Sequence, residues 1–196
     1  MRYIVIFCIL LCACNNSISK QFSGNVYPSV GEIKMGSKTL NSYMKYFGET
    51  KINNYTDEFL HFNVICYVGD NFSFLVYEWS NDDNVHQIAL KRNRQVYYSF
   101  SCAHYKNSHK QIIFDSGLKL GMRRREVLKI LGQPARKEFW ENDYKFEKGV
   151  DIFIFNKNNQ NIGSVEKSDD VYFDYTITYD SDNRVNSISA NSLYLN

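Results

Sequence analysis

Several groups of residues carry side chains able to do chemistry. His104 and His109 stand near Cys102 and Asp115, an imidazole, thiol and carboxylate set of the kind that holds a metal ion. The spacing does not suit it: structural zinc sites use paired ligands two to four residues apart in two clusters, and no second cluster exists. The segment reads as a connection carrying polar histidines, and no metal or cofactor is expected. Asp82-Asp83 and Asp180 to Asp182 lie where hairpin turns are expected, and aspartate is favoured there for backbone reasons alone. His61 and His86 fall in expected strands with no nucleophile motif beside them. No Gly-x-Ser-x-Gly, His-Glu-x-x-His, phosphate-binding loop or dinucleotide fingerprint occurs, so no catalytic residue is assigned and an enzyme is not the expected class.

Two further groups suit binding rather than catalysis. Arg123-Arg124-Arg125 is a local cationic run in a chain whose formal net charge is only +2, which excludes a global field for nucleic acid. Such a run suits an anion or an acidic partner surface, and a solvated face is the alternative. Aromatic residues make up 16% of the chain, and Tyr67, Tyr77, Trp79, Tyr97 and Trp140 could either form a contact face or fill the core.

The elements that position these groups follow from periodicity. Leu118 to Pro134 reads as one helix: Val127, Leu128 and Leu131 share a stripe, Gly132 supplies the stop and Pro134 forbids continuation. A weaker second version runs from Lys34 to Gly48, with Leu40, Tyr43, Met44 and Phe47 at helical spacing and Ser37 as N-cap. Counted back from the two glycines, the registers agree except where Leu40 meets Arg124. The three arginines at a helix start oppose the macrodipole, a mismatch of about 0.3 to 1 kcal/mol for each exposed charge.

Between these helices the period is two. Leu60, Phe62, Val64, Cys66 and Val68 alternate as the apolar face of a strand, with Phe59, His61, Asn63, Ile65 and Tyr67 opposite. Strands are expected at Phe72 to Trp79, Val85 to Leu90, Gln95 to Phe100, Arg136 to Trp140, Asp151 to Phe155, Tyr172 to Tyr179 and Arg184 to Ala190. The stretch Tyr77 to Ile88 matches Ile177 to Ile188 as strand, acidic turn and strand, with extra polar residues in the second half at Asn156 to Asp170. The expected fold class is therefore α+β, with two tandem units, each a helical segment packed on an antiparallel β-sheet. The first spans 29–105 and the second 106–196.

Residues 1–13 read as a signal peptide, a positive start followed by an apolar run too short to span a bilayer. Leu11-Cys12-Ala13-Cys14 resembles the acylation motif of bacterial lipoproteins, which would make Cys14 the lipidated first residue and 14–28 a polar tether; an ordinary secretory signal is the alternative. The folded part then keeps Cys66 and Cys102, which could bridge in an oxidising envelope or remain free thiols.

Gly121-Met122-Arg123-Arg124-Arg125-Glu126-Val127-Leu128-Lys129-Ile130-Leu131-Gly132-Gln133-Pro134 resembles the Gly-Met-x-x-x-Glu-Val-x-x-x-Leu-Gly-x-Pro signature of BamE/SmpA-type outer-membrane assembly lipoproteins and of the related β-lactamase inhibitor protein (BLIP). This chain has Arg123 where the former usually have Thr or Ser. The resemblance implies a non-enzymatic envelope protein, facing the periplasm from the outer membrane, that binds a protein partner in an assembly or scaffold role. The alternatives are an inhibitor or immunity protein acting on a periplasmic enzyme or toxin, and an envelope carbohydrate-binding module or enzyme. Partners are thus a protein and, through the anchor, the membrane.

Overall fold

The computed structural model describes residues 26–31, 33–36, 39–56, 61–80, 84–92, 100–106, 112–138, 149–156, 158–162 and 172–192. A short hairpin, β1 (Ser29–Val30) and β2 (Ile33–Lys34), precedes helix α1 (Leu40–Phe47). Strands β3 (Asn53–Thr56), β4 (His61–Val68), β5 (Phe72–Trp79), β6 (Val85–Arg92) and β7 (Ala103–His104) follow. Helix α2 (Arg124–Leu131) leads into β8 (Arg136–Glu138), β9 (Gly149–Phe155), β10 (Phe173–Tyr179) and β11 (Val185–Ser192).

All strands after β2 belong to one sheet, in the order β3-β4-β5-β6-β11-β10-β9-β8, with β7 pairing parallel to β4 beyond the end of β3. The expected pair of separate helix-on-sheet units is therefore corrected: the molecule is mostly β, built on one nine-stranded sheet. The decisive contact is between β6 and β11, paired antiparallel from Gln87↔Asn191 to Lys91↔Ser187. Two independent sheets would leave both strands as open edges with unmet N–H and C=O groups; pairing removes both edges at once. The main core is correspondingly continuous across both halves, running from Met35 and Phe47 through Tyr67, Phe74 and Leu90 to Ile188, Tyr175 and Phe153.

Both helices contribute to that core, on one face of the sheet. In α1 the buried stripe is Leu40, Tyr43, Met44 and Phe47, and in α2 it is Val127 and Leu131. Each helix ends on a glycine with positive φ, Gly48 at 107° and Gly132 at 84°, whose N–H closes the last turn onto Met44 and Leu128. The second helix is shorter than its sequence pattern suggests. Leu118 to Met122 is not helical, because Gly121 N–H donates to Val185 and Val185 N–H donates to Met122, which fixes this stretch alongside the start of β11. Ser37 lies outside the described residues, and the N-cap of α1 is Thr39; the buried Glu78 carboxylate accepts from Leu40 N–H at 3.1 Å instead.

The face assignment of β4 also changes. Ile65 and Tyr67 point into the helix-covered core, while Val64 and Cys66 are buried on the other side of the sheet. Both faces of this strand are occupied, so neither set could be read as the solvent side.

The interior holds several tyrosine hydroxyls. Burial raises the pKa of Tyr43, Tyr175 and Tyr179, and burial together with the charge of Glu49 pushes Tyr67 up to about 12. In the unfolded chain a tyrosine ionises near pH 10. These groups therefore contribute full stability below about pH 10 and lose it as pH rises through their folded values. Denaturant midpoints measured stepwise from pH 9 upward should fall steeply past about pH 10, and a flat profile would contradict the buried placement.

Candidate functional site

Among the described residues, no helix covers the second face of the sheet. Strand alternation sends Phe62, Val64 and Cys66 of β4, Leu75 and Tyr77 of β5, and Gln87, Ala89 and Lys91 of β6 to that side. Cys66 is disulfide-bonded to Cys102, which ties the Phe100–His104 strap across the open end of β4. Asn53 holds the same strap as a peptide would: its Oδ1 accepts from Ser101 N–H at 2.8 Å and its Nδ2 donates to Ser101 O at 3.1 Å. Phe100 is thereby set over the sheet, its ring edge-on to Tyr55 at 6.1 Å. The result is a groove of about 280 Å³ with Tyr55, Phe62, Tyr77 and Phe100 on one side and Lys91, Ser187 and Ser189 on the other.

Beyond the groove the face becomes polar. Register places Ser187, Ser189 and Asn191 of β11 opposite Thr178, Thr176 and Asp174 of β10. These groups bond to one another across the strands, Thr178 Oγ1 with Ser187 Oγ at 2.7 Å, Gln87 Nε2 to Ser189 Oγ at 2.9 Å, and Asn191 Nδ2 to Asp174 Oδ1 at 2.7 Å. Val150, Ile152 and Ile154 of β9 lie next in line. The open face thus runs from an aromatic patch through a hydroxyl and amide seam to an aliphatic strip.

Burial raises the Asp174 pKa, partly offset by its bond from Asn191. The stability this group contributes is greatest at acid pH and is lost as pH climbs through its folded pKa, so at neutrality its charge costs stability. Asp174→Asn should therefore raise the denaturation midpoint at about pH 7, with the difference closing towards about pH 3. A lower midpoint for the variant at neutral pH would contradict this.

No protein-family model and no curated protein matches the chain. One solved structure does: a Streptococcus mutans protein, provisionally named a β-lactamase inhibitor protein, is similar over 91% of this chain and 99% of its own, at 10% identity and a TM-score of 0.29. A likeness that slight carries neither fold nor function to this chain.

The residues singled out by sequence fall in different places. Tyr77 lines the groove, and Trp79 is partly exposed and stacks on His86 with ring centres 4.3 Å apart. Tyr67 is corrected to a core residue, fully buried on the helix side with its hydroxyl donating to Gly48 O at 2.7 Å. Cys14, Tyr97 and Trp140 lie outside the described residues, as does His109. Asp115 accepts from Gly31 N–H at 3.0 Å, and among the described residues no cluster of three His, Cys, Asp or Glu is placed to hold a metal.

The arginine run divides. Arg124 turns inward to a bidentate pair with Asp151, Nε and Nη2 donating at 2.6 and 2.8 Å, and those bonds raise its pKa. Arg123 and Arg125 remain exposed beside a depression of about 540 Å³, joined there by Arg184 from the β10–β11 turn. Arg184 and Phe100, expected only as strand ends, join Tyr55 and the serine and threonine seam as site residues that no motif marks. The seam was available in the sequence: Asp174, Thr176 and Thr178 alternate with Phe173, Tyr175, Ile177 and Tyr179, which is the signature of one wet and one dry face.

Proposed function

We propose that this chain is a lipid-anchored protein of the bacterial envelope that acts by binding another protein on the open face of its sheet. The observation that carries the binding half is the groove itself. Four aromatic side chains line one wall of a concavity on a side of the sheet that no described helix covers, next to a hydroxyl and amide seam suited to partner backbone groups. The ring geometry favours a protein over a polysaccharide. Sugars stack on exposed, roughly coplanar ring faces; here Tyr55 and Phe62 lie within 27° of parallel, but Tyr77 stands at 83° to Phe62 and Phe100 at 87° to Tyr55, which closes the flat platform on two sides. Rings walled in this way form a pocket for an inserted side chain. The anchor half rests on the Cys14 motif in the sequence.

The test uses the acylated full chain, cross-linked in cells and recovered from solubilised envelope. Ser189→Arg places a long cation in the middle of the open face at a half-buried position, whereas Asn41→Arg alters the exposed outer side of α1. Loss of a cross-linked protein in the first variant and its retention in the second is the expected result; equal recovery from both would overturn the reading. A single soluble enzyme as the partner would make the chain an inhibitor, and envelope assembly machinery would make it a scaffold. Cys14→Ser should release the protein from the membrane fraction, and unchanged partitioning would refute the anchor.

A further inference from the structure

The open face ends, at the start of β11, in an arrangement of charge that no ion pair among the described residues neutralises. Arg123 and Arg184 face each other as an antiparallel bridge pair, fixed by Arg124 N–H to Asn183 O at 3.0 Å and Val185 N–H to Met122 O at 2.8 Å. Like charges directly opposite in a bridge are destabilising. Arg125 stands beside them, exposed, and has no ion pair among the described residues. Arg124 is not part of this set, being spent on Asp151, and Asp180 is likewise committed, its carboxylate accepting from Arg92 and from the backbone of its own turn. The depression is therefore bordered by Arg123, Arg125 and Arg184, none of them ion-paired among the described residues, and by one carboxylate, Asp182; Arg184 Nη1 donates to Gly121 O at 3.1 Å, which positions the guanidinium without neutralising it. Glu126 lies nearby, but its Oε2 is occupied by Arg123 N–H at 2.7 Å.

This depression is close to the groove. Arg184 precedes Ser187 by three residues, about 10 Å along a strand. Lys91, which lines the groove, is paired in register with Ser187, and the next residue, Arg92, reaches Asp180 of the turn at 2.8 Å. One surface thus passes from apolar rings, past Lys91, round the β10–β11 turn to the arginines.

We infer that the partner on the open face is an acidic protein, whose carboxylates enter the Arg123, Arg125 and Arg184 depression while an apolar side chain fills the aromatic groove. The inference deepens the proposed binding function and rests on it. Guanidinium forks bond carboxylates in paired, planar geometry, and several cations on one rim select partners by sign before close contact is made. A partner with a basic surface would be repelled from the same position.

A labelled decaglutamate peptide stands in for the acidic surface, with decalysine as its opposite, and binding to the purified full chain is followed by anisotropy. The expected result is binding of decaglutamate only, at about 50 mM salt and lost at about 500 mM. Arg123→Gln with Arg125→Gln should weaken it about tenfold or more without lowering the denaturation midpoint, since both side chains are exposed and removing like charges from a bridge and a helix start costs no stability. Unweakened binding by the double variant overturns the inference. So does binding of inorganic phosphate or of phosphatidylglycerol vesicles without binding of decaglutamate, because the depression would then be a phosphate site. Failure here is separable from failure of the binding reading. Ser189→Arg should leave decaglutamate binding intact, and a cross-linked partner lost in that variant but retained with the two arginines changed would sink the acidic partner alone.

Discussion

Arg124→Ala should destabilise the protein by about 3 to 5 kcal/mol, the usual cost of leaving one member of a buried ion pair alone. The size follows from what remains behind. Asp151 has only 4% of its side chain exposed, so without the guanidinium its carboxylate loses two short bonds at a site nearly closed to water. The opposite truncation should cost less. Arg124 is 33% exposed and can turn outward to be hydrated once Asp151 is gone, so Asp151→Ala should fall at the low end of the range or below it. Replacing both residues by leucine should recover most of the loss, because the pair's own attraction is largely cancelled by desolvation. Denaturant unfolding of the three variants checks the order, and an Arg124→Ala midpoint equal to the parent's would show that the pair does not form in solution.

That pair also explains the one place where the two helical stripes disagree in sequence. Leu40 buries its side chain at the first position of α1, and its N–H is met by Glu78; Arg124 at the first position of α2 instead reaches a carboxylate on β9. The mismatch was visible from the residues, but its partner is 27 positions away and on the far side of segments that carry no periodic signal. Strand positions were legible for a simpler reason. Alternation at β5, β6, β10 and β11 is a local property, and the observed bounds follow it closely. What alternation cannot carry is which strand lies beside which. The β6–β11 pairing joins residues about a hundred apart, and nothing local distinguishes two closed sheets from one continuous sheet. The same limit hid the start of α2. Leu118 and Leu120 are both buried, a spacing of two that suits a non-helical stretch lying along β11 and not a helical stripe. Aromatic content alone did not separate core from contact face: Tyr67 is core, and the wet side of the sheet is marked by serine, threonine and asparagine.

Reduction of the Cys66–Cys102 bond, or its replacement by Cys66→Ala with Cys102→Ala, should lower stability by about 4 kcal/mol on the chain-entropy estimate for a loop of this length. The bond closes a separation of 36 residues that contains β5 and β6, so its loss enlarges the unfolded ensemble considerably. The folded state should survive, because the two sulfurs lie in the smaller cluster on the open face with Val64, Leu75 and Ala89, apart from the main core beneath the helices. What the fold loses locally is the strap. Asn53 and the two-residue pairing of β7 would remain to hold Ser101 and Ala103, and two such contacts contribute about 1 kcal/mol each. Amide exchange should therefore quicken at Ser101 and at Tyr105, whose N–H donates to Val68 O at 2.9 Å, while Phe74 and Ile177 in the centre of the sheet stay protected. With the strap loosened Phe100 no longer walls the groove, so the same variant should lose the cross-linked partner without losing its fold. Unchanged exchange at Ser101 and Tyr105 would mean that the Asn53 bonds alone fix the strap, and the disulfide would then be a stabiliser of the chain with no part in shaping the binding face.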